Sequence, residues 1–242
     1  MPKYEYKIGD CVKLMKEMDH KPDLILTDPP FGVDFDYESD VFDDVRGQEY
    51  FAWCRVWMVE AMKVLKDTGT FICFTSPQFM REFMNIGFDI GLHHQDTYIW
   101  DKRGPIGFNG RRPMYCYEPA YIWTKDVKKW TFNPPAMNML RFKPESKDVG
   151  HNCVRPVELY AKIISTHSDP GDLVLDPFVG SGTTLLACRM TGRNGMGFEL
   201  DPQYEEVIKR RTFEGVVALE DFSRKRPDMV KGWESWYGKV LQ

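Results

Sequence analysis

The chain has 242 residues and a net charge of −4, with 43% hydrophobic and 28% charged residues. Such a composition is ordinary for a globular protein and gives room for one large domain, with or without an insertion. No apolar run approaches the roughly 20 residues that a membrane span needs, and no apolar stretch follows the first lysines. We therefore expect neither a membrane segment nor a signal peptide.

The six cysteines do not have the spacing of a metal or redox site. They stand at positions 11, 54, 73, 116, 153 and 188, and no two of them form a CxxC pair. This spacing favours reduced thiols, mostly buried, in a cytoplasmic protein without a metal centre.

Charge is distributed unevenly along the chain. Residues 34–49 hold seven acids and one base, whereas residues 101–150 hold ten bases and five acids. A polyanion such as a nucleic acid would therefore bind at the second stretch and not over the whole surface.

Short apolar strands alternate with helical patterns over residues 1–100. Residues 23–27 (DLILT) and 70–75 (TFICFT) are predicted strands, and residues 50–66 form a predicted helix between them. Strand–helix–strand repetition is typical of a parallel sheet, so this segment is predicted to be the first half of an α/β domain.

Residues 101–150 differ in composition, and the alternating pattern then returns. The middle stretch is rich in Gly, Pro, Asn, Arg and aromatic residues, which indicates an inserted recognition segment. Residues 151–215 are predicted to complete the α/β domain, and residues 216–242 form a tail of unassigned role. The predicted elements of this second half are a helix at 156–168, a strand at 172–176, a helix at 183–192, a strand at 195–201 and a helix at 202–211.

A glycine loop follows the predicted strand that ends at Asp176. In LVLDPFVGSGTTLLA, Gly180 and Gly182 let the backbone approach a ligand, and the helix start presents free N–H groups. Glu199 lies nineteen residues beyond Gly180, at the end of the next strand, where an acid can bind both hydroxyls of a ribose. Neither the GxGxxG pattern of dinucleotide sites nor the GK[ST] ending of a P-loop is present.

The stretch LILTDPPFG, residues 24–32, is a strand that stops at a carboxylate, two prolines and an aromatic ring. Proline lacks the N–H that a sheet ladder needs, so the strand ends before Asp28. We interpret the turn as a holder for a flat molecule that carries an amino group. The alternative is a strand-ending turn with a phenylalanine in the core.

With TDPPFG and DPFVGSGTT in one chain, the sequence resembles the β class of amino-group DNA methyltransferases. Members of this family use S-adenosylmethionine to methylate adenine N6 or cytosine N4, and in the β class the catalytic motif precedes the cofactor loop. The resemblance spans roughly residues 7–211. It implies a doubly wound, mostly parallel α/β sheet of the Rossmann-like methyltransferase type, with one antiparallel strand and an inserted target-recognition region.

The resemblance also implies a set of cofactor residues. The loop residues would line the methionine part, Glu199 would bind the ribose, and Asp10 and Cys11 match the segment beside the adenine. At the position of Arg155 the family commonly has lysine. The full implied set is Asp10, Cys11, His151, Arg155, Asp176, Phe178, Gly180, Ser181, Gly182, Thr183 and Glu199.

In such a family the DPPF turn, Asp28, Pro29, Pro30 and Phe31, is the catalytic motif. The Asp28 carboxylate and the Pro29 carbonyl would accept the two amine N–H groups, so that the nitrogen lone pair faces the methyl group of the cofactor. Phe31 would stack on the base, which must be flipped out of the duplex.

The middle segment is expected to read double-stranded DNA. Arginine suits guanine edges, asparagine suits adenine edges, and lysine and arginine bind phosphates. A solvated surface is the alternative for each candidate. The candidates are Asn109, Arg111, Arg112, Arg141 and Lys143.

Adenine N6 is the expected target because DPPF is closer to the adenine pattern of the family than to SPP(Y/F), and cytosine N4 is the alternative. RNA or a protein amide as substrate, and a non-catalytic DNA-binding relative, are further alternatives. By resemblance, restriction-modification is the expected context. A homodimer and a cognate restriction endonuclease stay open as partners.

Overall fold

A computed structural model describes residues 3–30, 45–104, 116–134, 136–144 and 155–214. Several predictions from the sequence lie outside these ranges. They concern Phe31, Asn109, Arg111, Arg112, His151, Cys153 and the tail 216–242.

The described strands form one eight-stranded sheet in the order β1-β8-β7-β2-β3-β5-β4-β6. All neighbouring strands are parallel except that β5 runs antiparallel to both β3 and β4. This confirms the predicted mostly parallel sheet with an antiparallel strand. The strands are β1 Tyr4–Ile8, β2 Leu24–Thr27, β3 Thr70–Phe74, β4 His93–Asp101, β5 Tyr117–Thr124, β6 Met139–Arg141, β7 Leu173–Asp176 and β8 Asn194–Glu199.

Helices cover both faces of the sheet, as a doubly wound fold requires. Successive residues of β2 point to opposite sides: Ile25 packs in a cluster with Trp57 and Met15, whereas Leu24 and Leu26 pack in a cluster that includes Ile163. The α-helices are α1 Cys11–Lys16, α2 Val45–Val64, α3 Met80–Asp89, α4 Val157–His167, α5 Thr183–Thr191 and α6 Glu205–Lys209. None of those helices, within the described ranges, is both long and apolar enough to cross a bilayer.

The structure corrects the prediction that residues 101–150 lie outside the sheet. Strand β5 pairs with β3 along its length, from Thr70 opposite Thr124 to Phe74 opposite Ala120, and most of its residues are buried. Residues 139–141 form the edge strand β6 beside β4. The sequence hides β5 because it is buried on both faces, so it lacks alternation, and because Pro119 lowers its apparent strand propensity.

The free cysteines follow the predicted pattern in part. Cys11, Cys54, Cys73 and Cys188 are buried and unpaired, whereas Cys116 is exposed. In the part of the chain that the structure describes, no cluster of three His, Cys, Asp or Glu side chains could hold a metal ion.

Candidate active site

Three neighbouring parallel strands end at one edge of the sheet and carry the predicted site residues there. Strand β7 lies between β2 and β8, with Ile25 opposite Leu175 and Asp176 opposite Gly197. Strands β2 and β7 are neighbours, but β2 is followed along the chain by β3 on its outer side, and β7 is followed by β8 on the opposite outer side. Ligands of doubly wound folds bind outside the strand ends at such a change of direction.

Asp176 joins the end of the strand before the DPPF turn to the glycine loop. Its Oδ1 accepts hydrogen bonds from Thr27 Oγ1 at 2.8 Å and from the Phe178 N–H at 3.0 Å, and its Oδ2 accepts one from Thr184 Oγ1. Burial raises the pKa of this carboxyl to about 6, although the hydrogen bonds oppose the rise. Because both oxygens already have protein donors, the geometry favours a role in holding the loop.

The glycine loop leaves open space at one of its two glycines. Gly180 and Gly182 have φ of +50° and +84°, which side chains rarely adopt. A Cβ at Gly182 would come within 3.1 Å of Thr212 Oγ1, whereas one at Gly180 would have, among the described residues, only the Phe178 carbonyl oxygen near it, at 4.0 Å. The backbone at Gly180 is therefore accessible to a ligand, whereas Gly182 is packed against Thr212 and Ile208 of the protein itself.

Glu199 lies beside this loop at the end of β8. Its Oε2 accepts a hydrogen bond from the Gly180 N–H at 2.9 Å, and its Oε1 accepts one from the Asp201 N–H at 3.0 Å. The next side chain, Leu200, is 71% exposed, which gives an apolar surface next to the carboxylate. The pair suits a nucleoside, whose ribose is polar and whose base is apolar.

Asp10 and Cys11 are close to Glu199 but have structural contacts of their own. The Gly9 N–H donates to the Glu199 carbonyl at 2.7 Å, which brings the start of α1 to the site. The Asp10 side chain caps α1 by accepting from the Lys13 N–H at 2.9 Å. Cys11 is buried, and burial raises the pKa of its thiol to about 12.

The remaining loop residues are held by packing and by an arginine that the sequence did not suggest. The Phe178 ring packs edge-on against Trp57, with 5.0 Å between ring centroids. Arg211 Nη1 donates to the Ser181 hydroxyl and, at 3.1 Å, to Thr183 Oγ1. Arg211, in the segment that follows α6, therefore holds the loop in place through these hydrogen bonds.

The DPPF turn presents a carboxylate, Asp28, whose two oxygens differ in their contacts with the described residues. Arg155 Nε and Nη2 lie 2.7 and 2.5 Å from Asp28 Oδ2, while Asp28 Oδ1 is buried without a hydrogen-bond partner among the described residues. Pro29 is buried, and the Pro30 carbonyl accepts from the Tyr50 hydroxyl at 3.1 Å. The free oxygen is thus held in place as an acceptor.

Opposing effects set the pKa of Asp28. Burial raises the pKa most, the Arg155 cation lowers it and the Glu118 carboxylate raises it, so that the pKa is about 6. The group is therefore ionised at neutral pH but with less margin than an exposed aspartate has.

Arg155, predicted from the family pattern as a cofactor residue, makes its described contacts elsewhere. Besides Asp28 it forms an ion pair with Glu118, and its guanidinium lies 5.1 Å from the Trp100 ring centroid and 5.6 Å from that of Phe74. Glu118 in turn pairs with Lys102. The arrangement holds the Arg155 cation against the Asp28 carboxylate.

Two of the predicted DNA-binding residues lie in the described ranges, and both are exposed. Arg141 is in β6, where its Nε is 3.3 Å from Asp101 Oδ2, and Lys143 follows this strand. An exposed pair such as Arg141–Asp101 contributes little, so a phosphate could replace the aspartate at low cost.

Sequence reasoning missed five residues that organise the site. Four of them lie in stretches that carry the family pattern, TDPPF, GSGTT, YIWDKR and YEPAYIWTK, and Arg211 ends the predicted helix 202–211, but the contacts depend on tertiary pairing. The missed residues are Thr27, Thr184, Arg211, Lys102 and Glu118.

The fold and this site define a DNA methylase. The family model of that description matches residues 22–148 and 139–210, and the chain belongs to this family.

Among the most similar relatives is the type II methyltransferase M.HinfI of Haemophilus influenzae, 30% identical over 241 residues. The match covers 84% of this chain and 66% of that relative, so the chain spans about two thirds of its length. The type II methyltransferase M.HpaI of Haemophilus parainfluenzae is 27% identical over 249 residues, covering 91% of this chain and 78% of the relative.

Solved structures have the same fold. The crystal structure of an M1.HpyAVI–SAM complex superposes with a TM-score of 0.72 at 28% identity, covering 87% of this chain and 99% of that one. The cytosine-N4-specific PvuII DNA methyltransferase superposes with a TM-score of 0.74 at 20% identity, covering 87% and 86%. The second likeness concerns the fold alone.

Proposed function

We propose that the protein transfers a methyl group from S-adenosylmethionine to the N6 amine of an adenine flipped out of double-stranded DNA. One observation carries the proposal: the buried Oδ1 of Asp28, which has no hydrogen-bond partner among the described residues, lies at the sheet edge where the Gly180 loop begins. An acceptor for an amine and a ligand-accessible loop are thereby next to each other on adjacent strands.

The site residues fit S-adenosylmethionine. The open space at Gly180 suits the close approach of the cofactor, Glu199 can accept from ribose hydroxyls through its remaining lone pairs, and Leu200 offers an apolar surface to the adenine. When bound, the cofactor supplies an electrophilic methyl group on a sulfonium.

The chain's own residues would then prepare the amine. Asp28 Oδ1 accepts one N–H and the Pro29 carbonyl accepts the other, which favours a pyramidal nitrogen with its lone pair directed away from both acceptors. An ionised Asp28 can also take the proton that the amine loses on methylation. Removing a base from the stack costs a few kcal/mol, and stacking on an aromatic ring such as the proposed Phe31 offsets about 1–3 kcal/mol.

DNA would be held by the basic middle segment. Arg141 and Lys143 are exposed and available to phosphates, and Asn109, Arg111 and Arg112 are the proposed base or phosphate contacts in the part outside the described residues. A homodimer, a cognate restriction endonuclease and a cytoplasmic location are kept as proposals.

Cytosine N4 is the second candidate for the methylated atom. Both bases carry the same kind of exocyclic amine, and Asp28 with Pro29 could bind either one. The fold is also that of a cytosine-N4-specific enzyme. Adenine is preferred because of the DPPF sequence of the turn.

Nucleoside mass spectrometry tests the proposal. Unmethylated genomic DNA is incubated with the purified protein and S-adenosylmethionine, then digested to nucleosides. We expect N6-methyladenine, and no product from the Asp28→Ala variant, which lacks the acceptor but keeps the cofactor loop. N4-methylcytosine would replace the proposed base, and turnover by Asp28→Ala equal to that of the wild type would refute the mechanism.

A further inference from the structure

A row of four largely buried charges begins at the proposed catalytic carboxylate. The charges alternate in sign: Asp28, Arg155, Glu118 and Lys102. Their side chains are only 9–20% exposed, so water screens the row weakly. Removal of any one member therefore changes the field at the others.

The row crosses the end of the sheet from the catalytic strand to the far strands. Arg155 precedes α4 and passes over the Phe74 ring at the end of β3. Glu118 lies near the start of β5, and Lys102 directly follows β4 with its Nζ 5.1 Å from the Trp100 ring centroid. Lys102 and Glu118 flank residues 105–115, the core of the proposed recognition segment.

We propose that Glu118 and Lys102 are positioning residues that act through Arg155 to hold and charge the Asp28 carboxylate, and that Arg155 serves Asp28 and not the cofactor. This inference rests on the proposed function, because it assigns these residues to the methyl-transfer site.

The contacts give each member a distinct task. Arg155 directs two N–H groups at Asp28 Oδ2 and so leaves Oδ1 to the substrate. Glu118 forms an ion pair with Nη1 of the same guanidinium and so prevents the guanidinium from rotating away from Asp28. Lys102 neutralises Glu118, which would otherwise oppose ionisation of Asp28.

The signs of these charges predict opposite effects for different substitutions. Loss of Arg155 or Lys102 removes a cation, so the pKa of Asp28 should rise; loss of the Glu118 charge should lower it. A purely structural role would give no such pattern. Other titratable groups near Asp28 stay the same in every variant: Cys73 on β3, Tyr160 on α4 and Asp176 on β7.

The test follows Asp28 directly by NMR. Protein labelled with ¹³C at the aspartate carboxyl carbon is titrated, and the Asp28 signal is assigned as the one absent from Asp28→Asn. We expect a higher pKa in Arg155→Met, by about one unit or more, a higher one in Lys102→Gln, and a lower one in the nearly isosteric Glu118→Gln. Lys125→Gln is the control, because Lys125 pairs with Asp67 and the Leu65 carbonyl.

Each outcome of the titrations either supports or overturns the inference. If Arg155→Met does not fold, the opposite shifts of Lys102→Gln and Glu118→Gln still carry the test. No shift, or shifts of one sign, would overturn the inference, as would a tenfold loss of S-adenosylmethionine affinity in Arg155→Met with the Asp28 titration unchanged. The readout needs no turnover, so opposite shifts in a protein that methylates no DNA would uphold the charge row and reject the proposed function.

Discussion

At the scale of single residues, Asp28 combines two requirements that oppose each other. The proposed acceptor for an amine must be dry and fixed, and burial raises the pKa of this carboxyl, which is about 6 once its charged neighbours are included. It must also be ionised, and the Arg155 cation lowers the pKa against the effect of burial. The ion pair at Oδ2 therefore lets the free Oδ1 be buried and charged at neutral pH.

This balance predicts an acid limit to methyl transfer. The pKa of Asp28 is raised from its usual 3.8 to about 6, so the ionised fraction falls as the pH falls through 6. We expect the single-turnover rate to be level above about pH 7 and to drop about tenfold per unit well below pH 6.

Cofactor binding over the same pH range is the control for that profile. Asp176 also has a pKa of about 6, and its protonation would loosen the glycine loop that Thr27 and Thr184 fix to it. Turnover at saturating cofactor separates the two groups. A rate that stays constant down to pH 5 would contradict an ionised Asp28 as the acceptor.

At the scale of elements, the two glycines of the loop after β7 should fail in different ways when substituted. Both have positive φ, so alanine costs each about 1–2 kcal/mol of strain. At Gly182 the new Cβ would also meet Thr212 Oγ1 and, at 3.5 Å, the Ile208 backbone, whereas at Gly180 no described atom other than the Phe178 carbonyl oxygen, at 4.0 Å, would be near it.

We therefore expect Gly182→Ala to lose more stability than Gly180→Ala. We expect Gly180→Ala to lose cofactor affinity as well, by more than its loss of stability would explain. Urea denaturation measures the first quantity and equilibrium binding of S-adenosylmethionine the second. Each variant serves as the control of the other because the strain is common to both. Equal losses of stability, with cofactor affinity retained in Gly180→Ala, would mean that the ligand does not pass over this glycine.

Some elements of the fold could be predicted from the sequence and others could not. The ends of β2 and β7 were predictable, because a proline closely follows each strand: Asp28 directly follows β2, and Asp176 is the last residue of β7. Strand β5 was not, because its register depends on pairing with β3. The row from Arg155 to Lys102 was hidden for the same reason: its members come from three separate segments and meet only across the sheet end.

At the scale of the whole molecule, the site joins the two halves of the chain. Strands β7 and β8 come from the C-terminal half but lie between β1 and β2 of the N-terminal half. The side-chain bond from Thr27 to Asp176 crosses this junction. A cofactor held by the β7 loop and by Glu199 on β8 would therefore bind beside the seam between the halves.

Such a cofactor should stabilise the protein as one unit. Binding at 100 times the dissociation constant contributes about 2.7 kcal/mol, and a chain of this size gains about 2–4 °C in Tm per kcal/mol. We expect S-adenosylmethionine to raise the Tm by about 5–11 °C in a calorimetric scan. Asp28→Asn should keep most of the rise, and Gly180→Ala should lose it.

The number of unfolding transitions tests whether the two halves of the chain unfold together. Because β7 and β8 are flanked on both sides by strands of the N-terminal half, the C-terminal half cannot unfold without exposing Leu24 and Leu26 on β2. The cofactor should therefore shift a single transition. Two transitions, of which only one moves with the cofactor, would mean that the halves unfold separately and that the interleaved sheet is not the cooperative unit.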